Sequence, residues 1–138
     1  MSSQNSKPTA WLKKALLYAI PGGALAMAIL YAIACLFIFT SVKTICTKAE
    51  REFKQDHVTS LMAVVISDKF TDKDKNDAIW ALGQIGAKQA LPLLESMYTG
   101  IKDKRCNRHE TICQYELEKA IRFINSKFII TRWMYRNL

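Results

Sequence analysis

Two histidines and four cysteines are too few for a multi-metal centre or a disulfide-dense secreted knot. Five glycines and three prolines in 138 residues exclude a collagen-like or a Pro/Gly-rich disordered chain. No glycine-rich phosphate loop, HExxH helix or GxSxG elbow occurs, so no motif of nucleotide, zinc-protease or serine-hydrolase chemistry is present. Acids are missing from the first third: all 12 lie beyond Lys43, together with most of the 20 Lys and Arg that give the chain its net charge of +8. Between Ala15 and Val42 there is no charge of either sign.

That uncharged run is 28 residues long, where about 20 apolar residues suffice to cross a bilayer. Lys13 and Lys14 bracket one end and Lys43 the other, with Trp11 and Tyr18 near the first boundary, where amphipathic rings favour the headgroup layer. Pro21-Gly22-Gly23 predicts a kink or a shallow turn, leaving Ala24–Val42 as the best helix. A buried core helix of this length needs a larger protein around it. A signal peptide cut at Ala32-Ile33-Ala34, or acylated at Cys35, leaves an apolar stump from Leu36 to Phe39. The expectation is a single-pass membrane protein whose bilayer contact is residues 15–42. Bases are nearly balanced across the span. A short basic tail before a first span commonly stays in the cytoplasm, which places the carboxyl domain outside it.

The remainder divides into a basic tail (1–14), a juxtamembrane linker (43–54), a helical domain (55–126) and a basic, aromatic tail (127–138). Val58, Leu61, Met62, Val65 and Ile66 follow the spacing of a core-facing helix. Thr71 to Asp74 has the form of a capping box. Ala78, Ile79, Leu82 and Ile85 make the next stripe, and Gly86 is placed to end that helix with φ > 0. A third helix over 88–98 carries Leu91, Leu94 and Met97, with Pro92 in its first turn. A fourth begins near Glu110 and aligns Cys113, Leu117, Ala120, Ile121, Ile124 and Phe128. Apolar residues never alternate over a useful length. The fold class is all-α, with four helices in two antiparallel pairs after the span.

The stretch Asn76–Leu94, NDAIWALGQIGAKQALPLL, resembles the HEAT-repeat family, in its short variant first noted in bilin lyases. The matching residues are Ala78, Ala81, Leu82, Gly83, Ile85 and Gly86, then Ala90, Pro92 and Leu94. Ala87 replaces the family's usual Asp, and its Arg at the start of the second helix is missing, with Lys75 or Asn76 near that place. The resemblance implies a small α-solenoid of two helical pairs acting as a protein–protein interaction or scaffold module. It nominates the outward residues Trp80, Gln84, Gln114 and Glu118 as the interaction face. Two repeats bury little apolar surface by themselves. The segment 41–53, the carboxyl tail or another protein is expected to complete the core. The alternatives are an accessory structural subunit of a larger membrane complex and, more remotely, a bilin-lyase-like enzyme or enzyme accessory.

Chemistry is thin, and the expectation is a non-enzyme without cofactor. Cys106 and Cys113 span a loop-to-helix junction with two readings: an intrachain disulfide if the domain lies outside the cytoplasm, or two free thiols if it does not. A metal site is not expected, because Arg105 and Arg108 repel a cation and no fourth ligand is at hand. His109 reads as a loop residue, and His57 beside Asp56 as a helix start. The bases of residues 101–138 are scattered between apolar residues, so no nucleic-acid partner is expected. Residues 127–138 admit two readings: a segment on an anionic membrane surface, or a final helix capping the core with Phe128 and Met134 buried.

Overall fold

A computed structural model describes the backbone of residues 10–101, 106–126 and 132–135, with side chains from residue 21 onward except at 132 and 133. Among the described residues there are five α-helices: α1 (Ala10–Phe53), α2 (His57–Ile66), α3 (Asp72–Ile85), α4 (Leu91–Met97) and α5 (Gln114–Asn125). Single 3₁₀ turns cover Lys88–Ala90 and Arg132–Tyr135. No strand occurs among the described residues. The chain forms two compact units, residues 1–37 and 38–138.

The first unit is the apolar part of α1. The helix is long and apolar enough to cross a membrane, and its most apolar stretch is only 6% buried. Leu25, Met27, Leu30 and Phe37 are each more than 60% exposed, which is not how the core helix of a soluble protein sits. Of the two expectations at Pro21, a turn does not form: α1 runs through it. Proline removes a single N–H from the ladder, and a helix with many turns on either side carries that loss.

The second unit begins inside the same helix. The juxtamembrane residues 43–53 are the end of α1, and Val42, Cys46 and Ala49 are at most 1% exposed in the core, one of the ways expected to complete it. Their spacing of four and three places them on one helical face, and Phe53 continues it to meet Phe70, with ring centroids 5.9 Å apart. The helix stops where Lys54 turns to φ +53. The sequence boundary at residue 55 thus falls well inside the unit, because the juxtamembrane residues bury apolar surface that two helical pairs leave open.

Local chemistry accounts for the other helix ends. Asp56 caps α2, accepting from the Thr59 N–H at 3.1 Å, with His57 the first helical residue as expected. Thr71 caps α3, accepting from the Asp74 N–H at 3.2 Å, while the Asp74 carboxylate takes the Thr71 hydroxyl proton at 2.7 Å. Gly86 closes α3 at φ 73, and both it and Ala87 donate to the Leu82 carbonyl at 3.1 Å. Pro92 lies in the first turn of α4.

The core stripes hold with two shifts. On α2 the buried set is Ser60, Leu61, Val64 and Val65, and Ile66 is 64% exposed rather than core-facing. The end of α1 joins the same core as this rotated face of α2. The last helix begins at Gln114, not Glu110, because the N–H groups of Glu110 and Thr111 both turn back to the Asn107 carbonyl. α3 is the central element, packed against α2 and α5, and is buried over most of its circumference. Where α3 and α5 cross, a Cβ on Gly83 would lie 2.8 Å from Ala120 Cα.

Candidate functional site

Three features of the second unit bear on function. The first is a recess of about 140 Å³ beside α1 and α3. Ile45, Ala49, Val64 and Phe70 form its apolar wall, and Lys48, Lys73, Asp74 and Asp77 its rim. The charges neutralise one another: Lys48 Nζ lies 2.7 Å from Asp74, Lys73 Nζ 2.6 Å from Asp77, and Arg108 3.0 Å from the other oxygen of Asp77. Thr44 also lines it, its hydroxyl donating to the Thr40 carbonyl at 2.8 Å.

Lys48 above all, then the Thr71 hydroxyl, holds the Asp74 carboxyl below its ordinary value of 3.8. The carboxylate is therefore favoured by folding, and its contribution is complete above the unfolded value. It is lost as pH falls through the lower folded value. Melting curves taken between neutral pH and pH about 3 should show the Asp74→Asn variant less stable at neutrality and the two proteins converging in acid. A constant gap over that range would remove the pair from the stability account.

The second feature is a buried polar knot. Asn76 is 0% exposed and uses both ends of its amide. Its Nδ2 donates to the carbonyls of Arg108, at 3.0 Å, and Thr111, at 2.8 Å, and its Oδ1 accepts from the Cys113 N–H at 2.8 Å. Cys106 and Cys113 close a disulfide over the same loop, with Cα atoms 5.6 Å apart. Cys113, expected on the face of the last helix, is instead its N-cap residue and is 1% exposed. The side chain of Asn76 thus satisfies three backbone groups of a loop more than thirty residues away.

No protein-family model, curated protein or solved structure matches this chain. The reading of function therefore rests on the side chains alone.

The third feature is the set of expected interaction residues, which does not form one open face. Gln84 is 8% exposed, and Trp80 is half-buried against the core, because α3 has neighbours on several sides. Gln114 is engaged internally: its Oε1 accepts from the Thr99 N–H at 2.8 Å and its Nε2 donates to the Met97 carbonyl at 3.3 Å, tying the end of α4 to α5. Glu118 is partly exposed and lies 3.8 Å from Arg122 one turn along. Besides Ile66 of α2, large side chains of α5 are accessible. Tyr115 is 48% and Phe123 36% exposed, and Lys119 Nζ sits 5.2 Å from the centre of the Tyr115 ring. The sequence carried this signal in the spacing of Tyr115, Lys119 and Phe123, four residues apart along a helix whose apolar stripe lies elsewhere.

Among the described residues no group of three His, Cys, Asp or Glu side chains is placed to hold a metal ion. Of the two histidines, His109 is exposed in the turn before α5, and His57 contacts Glu50 of α1. The unpaired cysteines are Cys35, partly covered, and Cys46, buried.

Proposed function

We propose that this chain is a single-pass membrane protein carrying a small HEAT-like domain that binds another protein through the outer side of α5. The observation that supports it is the uneven covering of the domain. One side of its core is closed by the end of α1, whereas on α5 Tyr115 and Phe123 keep part of their rings exposed, with Lys119 half-buried and Arg122 exposed beside them. Aromatic residues and Arg are enriched among the residues that dominate protein interfaces. The HEAT-like reading draws on the pairing of α2 with α3 and of α4 with α5, and on the packing of α3 directly against α5, as second helices of successive repeats would pack. Adaptor and accessory subunit differ only in how permanent the partner is.

The bilayer reading draws on the bare apolar length of α1. Alkaline carbonate should leave the full chain in the membrane pellet; release into the supernatant ends the anchor. A photo-crosslinking residue at position 115, activated in native membranes, should capture a discrete protein partner, and one at Lys54 should capture it poorly. Equal labelling at both positions defeats the α5 surface.

The extracytoplasmic reading draws on the Cys106–Cys113 link, which persists in an oxidising compartment. Thiol alkylation of freshly lysed, unreduced membranes should modify neither cysteine until reductant is added. Full alkylation without reductant would place the domain in the cytoplasm.

A further inference from the structure

The outer side of α1 carries charge that the domain itself does not use. Lys43, Thr44, Thr47, Lys48, Arg51 and Glu52 line a groove of about 730 Å³ along the helix. Lys43, Thr47 and Arg51 stand four residues apart, as do Thr44 and Lys48 beside them, so they share one face. The opposite face holds the helix to the domain: Val42, Cys46 and Ala49 are buried, and the Phe39 ring stacks on Tyr135 with centroids 5.8 Å apart. Three cations line the groove against one acid. Lys48 is paired with Asp74, and its side chain is still 65% exposed. Lys43 and Arg51 are exposed, and among the described residues neither has an ion-pair partner. The hydroxyls of Thr44 and Thr47 donate to the carbonyls of Thr40, at 2.8 Å, and Lys43, at 2.9 Å. The free donors of the groove are therefore its cations.

The groove runs into the recess beside α3, since Thr44 and Lys48 line both. The recess, about 140 Å³ with Ile45, Val64 and Phe70 in its wall, is close in size to the roughly 150 Å³ that takes a benzene molecule. It has room for one ring or one branched aliphatic side chain. Asp74 and Asp77 on its rim repel an anion placed directly over it, so the negative groups of a ligand must lie along α1. The rim offers both carboxylate acceptors and ammonium donors, which suits a peptide backbone with its C=O and N–H groups. A lipid phosphate offers acceptors alone. From Lys43 to Arg51 is about 12 Å along the helix, or about four residues of extended chain.

We infer that this groove and the recess together form a docking surface for a short acidic segment of a partner protein. One large apolar side chain of the segment sits against Ile45 and Phe70, and carboxylates on either side of it meet Lys43, Lys48 and Arg51. The surface shares no residue with the outer side of α5 and stands independently of it.

The test uses the full chain in nonionic detergent micelles and reads fluorescence anisotropy. The probe is a dye-labelled peptide with one phenylalanine between two pairs of glutamates. It should bind saturably, and more weakly as salt is raised. Serine in place of the phenylalanine should remove most of the binding, because the recess is then empty. Lys43→Glu with Arg51→Glu should weaken binding by about tenfold or more, since like charges set against one another are costly. Lys88→Glu, the same change of charge outside the groove, should bind like the parent. Absence of saturable binding overturns the surface. So does equal affinity for the serine peptide, which removes the recess, and so does equal binding by the double variant, which removes the groove. A loss in Lys88→Glu as large as in the double variant reduces the effect to net charge and overturns it as well. Native mass spectrometry of the micelles with added phosphatidylglycerol tests the other anion. Lipid retained by the parent and lost by the double variant, without peptide binding, gives the stripe to lipid and overturns the peptide site.

Discussion

Replacing Asn76 by alanine should destabilise the domain by about 3 kcal/mol or more, as each buried polar group left without a partner costs roughly 1–3 kcal/mol. The substitution strips three backbone groups of their partners at once: the Cys113 N–H and the carbonyls of Arg108 and Thr111. The Cys113 N–H bears most of the loss, since Cys113 is 1% exposed and water cannot easily replace the amide. For a domain of this size the melting temperature should fall by more than about 10 °C, at roughly 4–8 °C per kcal/mol. Asn76→Asp separates the contributions. It keeps the acceptor for Cys113 but loses both donors, and it brings a carboxylate to two carbonyl oxygens, so it should be no more stable than the alanine variant. Thermal melts of the detergent-solubilised chain, followed by far-ultraviolet circular dichroism, decide this. An Asn76→Ala protein melting with the parent would mean that the loop is held by the disulfide alone.

Gly83→Leu should prevent α3 and α5 from packing, giving a chain that no longer melts cooperatively. A single Cβ at position 83 already meets Ala120 Cα at 2.8 Å and Cβ at 3.1 Å. Even Gly83→Ala should be destabilising: overpacking typically costs about 1–3 kcal/mol, against about 1 kcal/mol gained from helix propensity. The obstacle is backbone, which yields a specific double-variant outcome. Ala120→Gly removes the 3.1 Å contact but leaves the 2.8 Å one, so it should rescue Gly83→Ala only in part. Full rescue would show that the side chain, not the closeness of the helices, sets the limit.

What was legible in the sequence is what short-range chemistry determines. Thr71 with Asp74, Asp56 before His57, Gly86 and Pro92 each act within one helical turn, and each stands where the pattern placed it. The stripe Ala78, Ile79 and Leu82 is fully buried. The errors come from partners distant in sequence. Val42, Cys46 and Ala49 have helical spacing in the segment named as one that could complete the core, but which of its residues face the core is set by helices distant in sequence. Gln84 looks outward on a helix treated as one of a pair, and is covered because α3 has more neighbours than a pair supplies. Nothing local marks Asn76 as buried, because its three partners come from a loop beyond α4. The expected tail helix 127–138 falls largely outside the described residues; within them Tyr135 is the buried residue and Met134 is half-covered.

The stack between Phe39 and Tyr135 also imposes an order on synthesis. Phe39 leaves the ribosome well before the ring that covers it. A chain interrupted before Tyr135 therefore exposes a phenylalanine face that the longer chain covers.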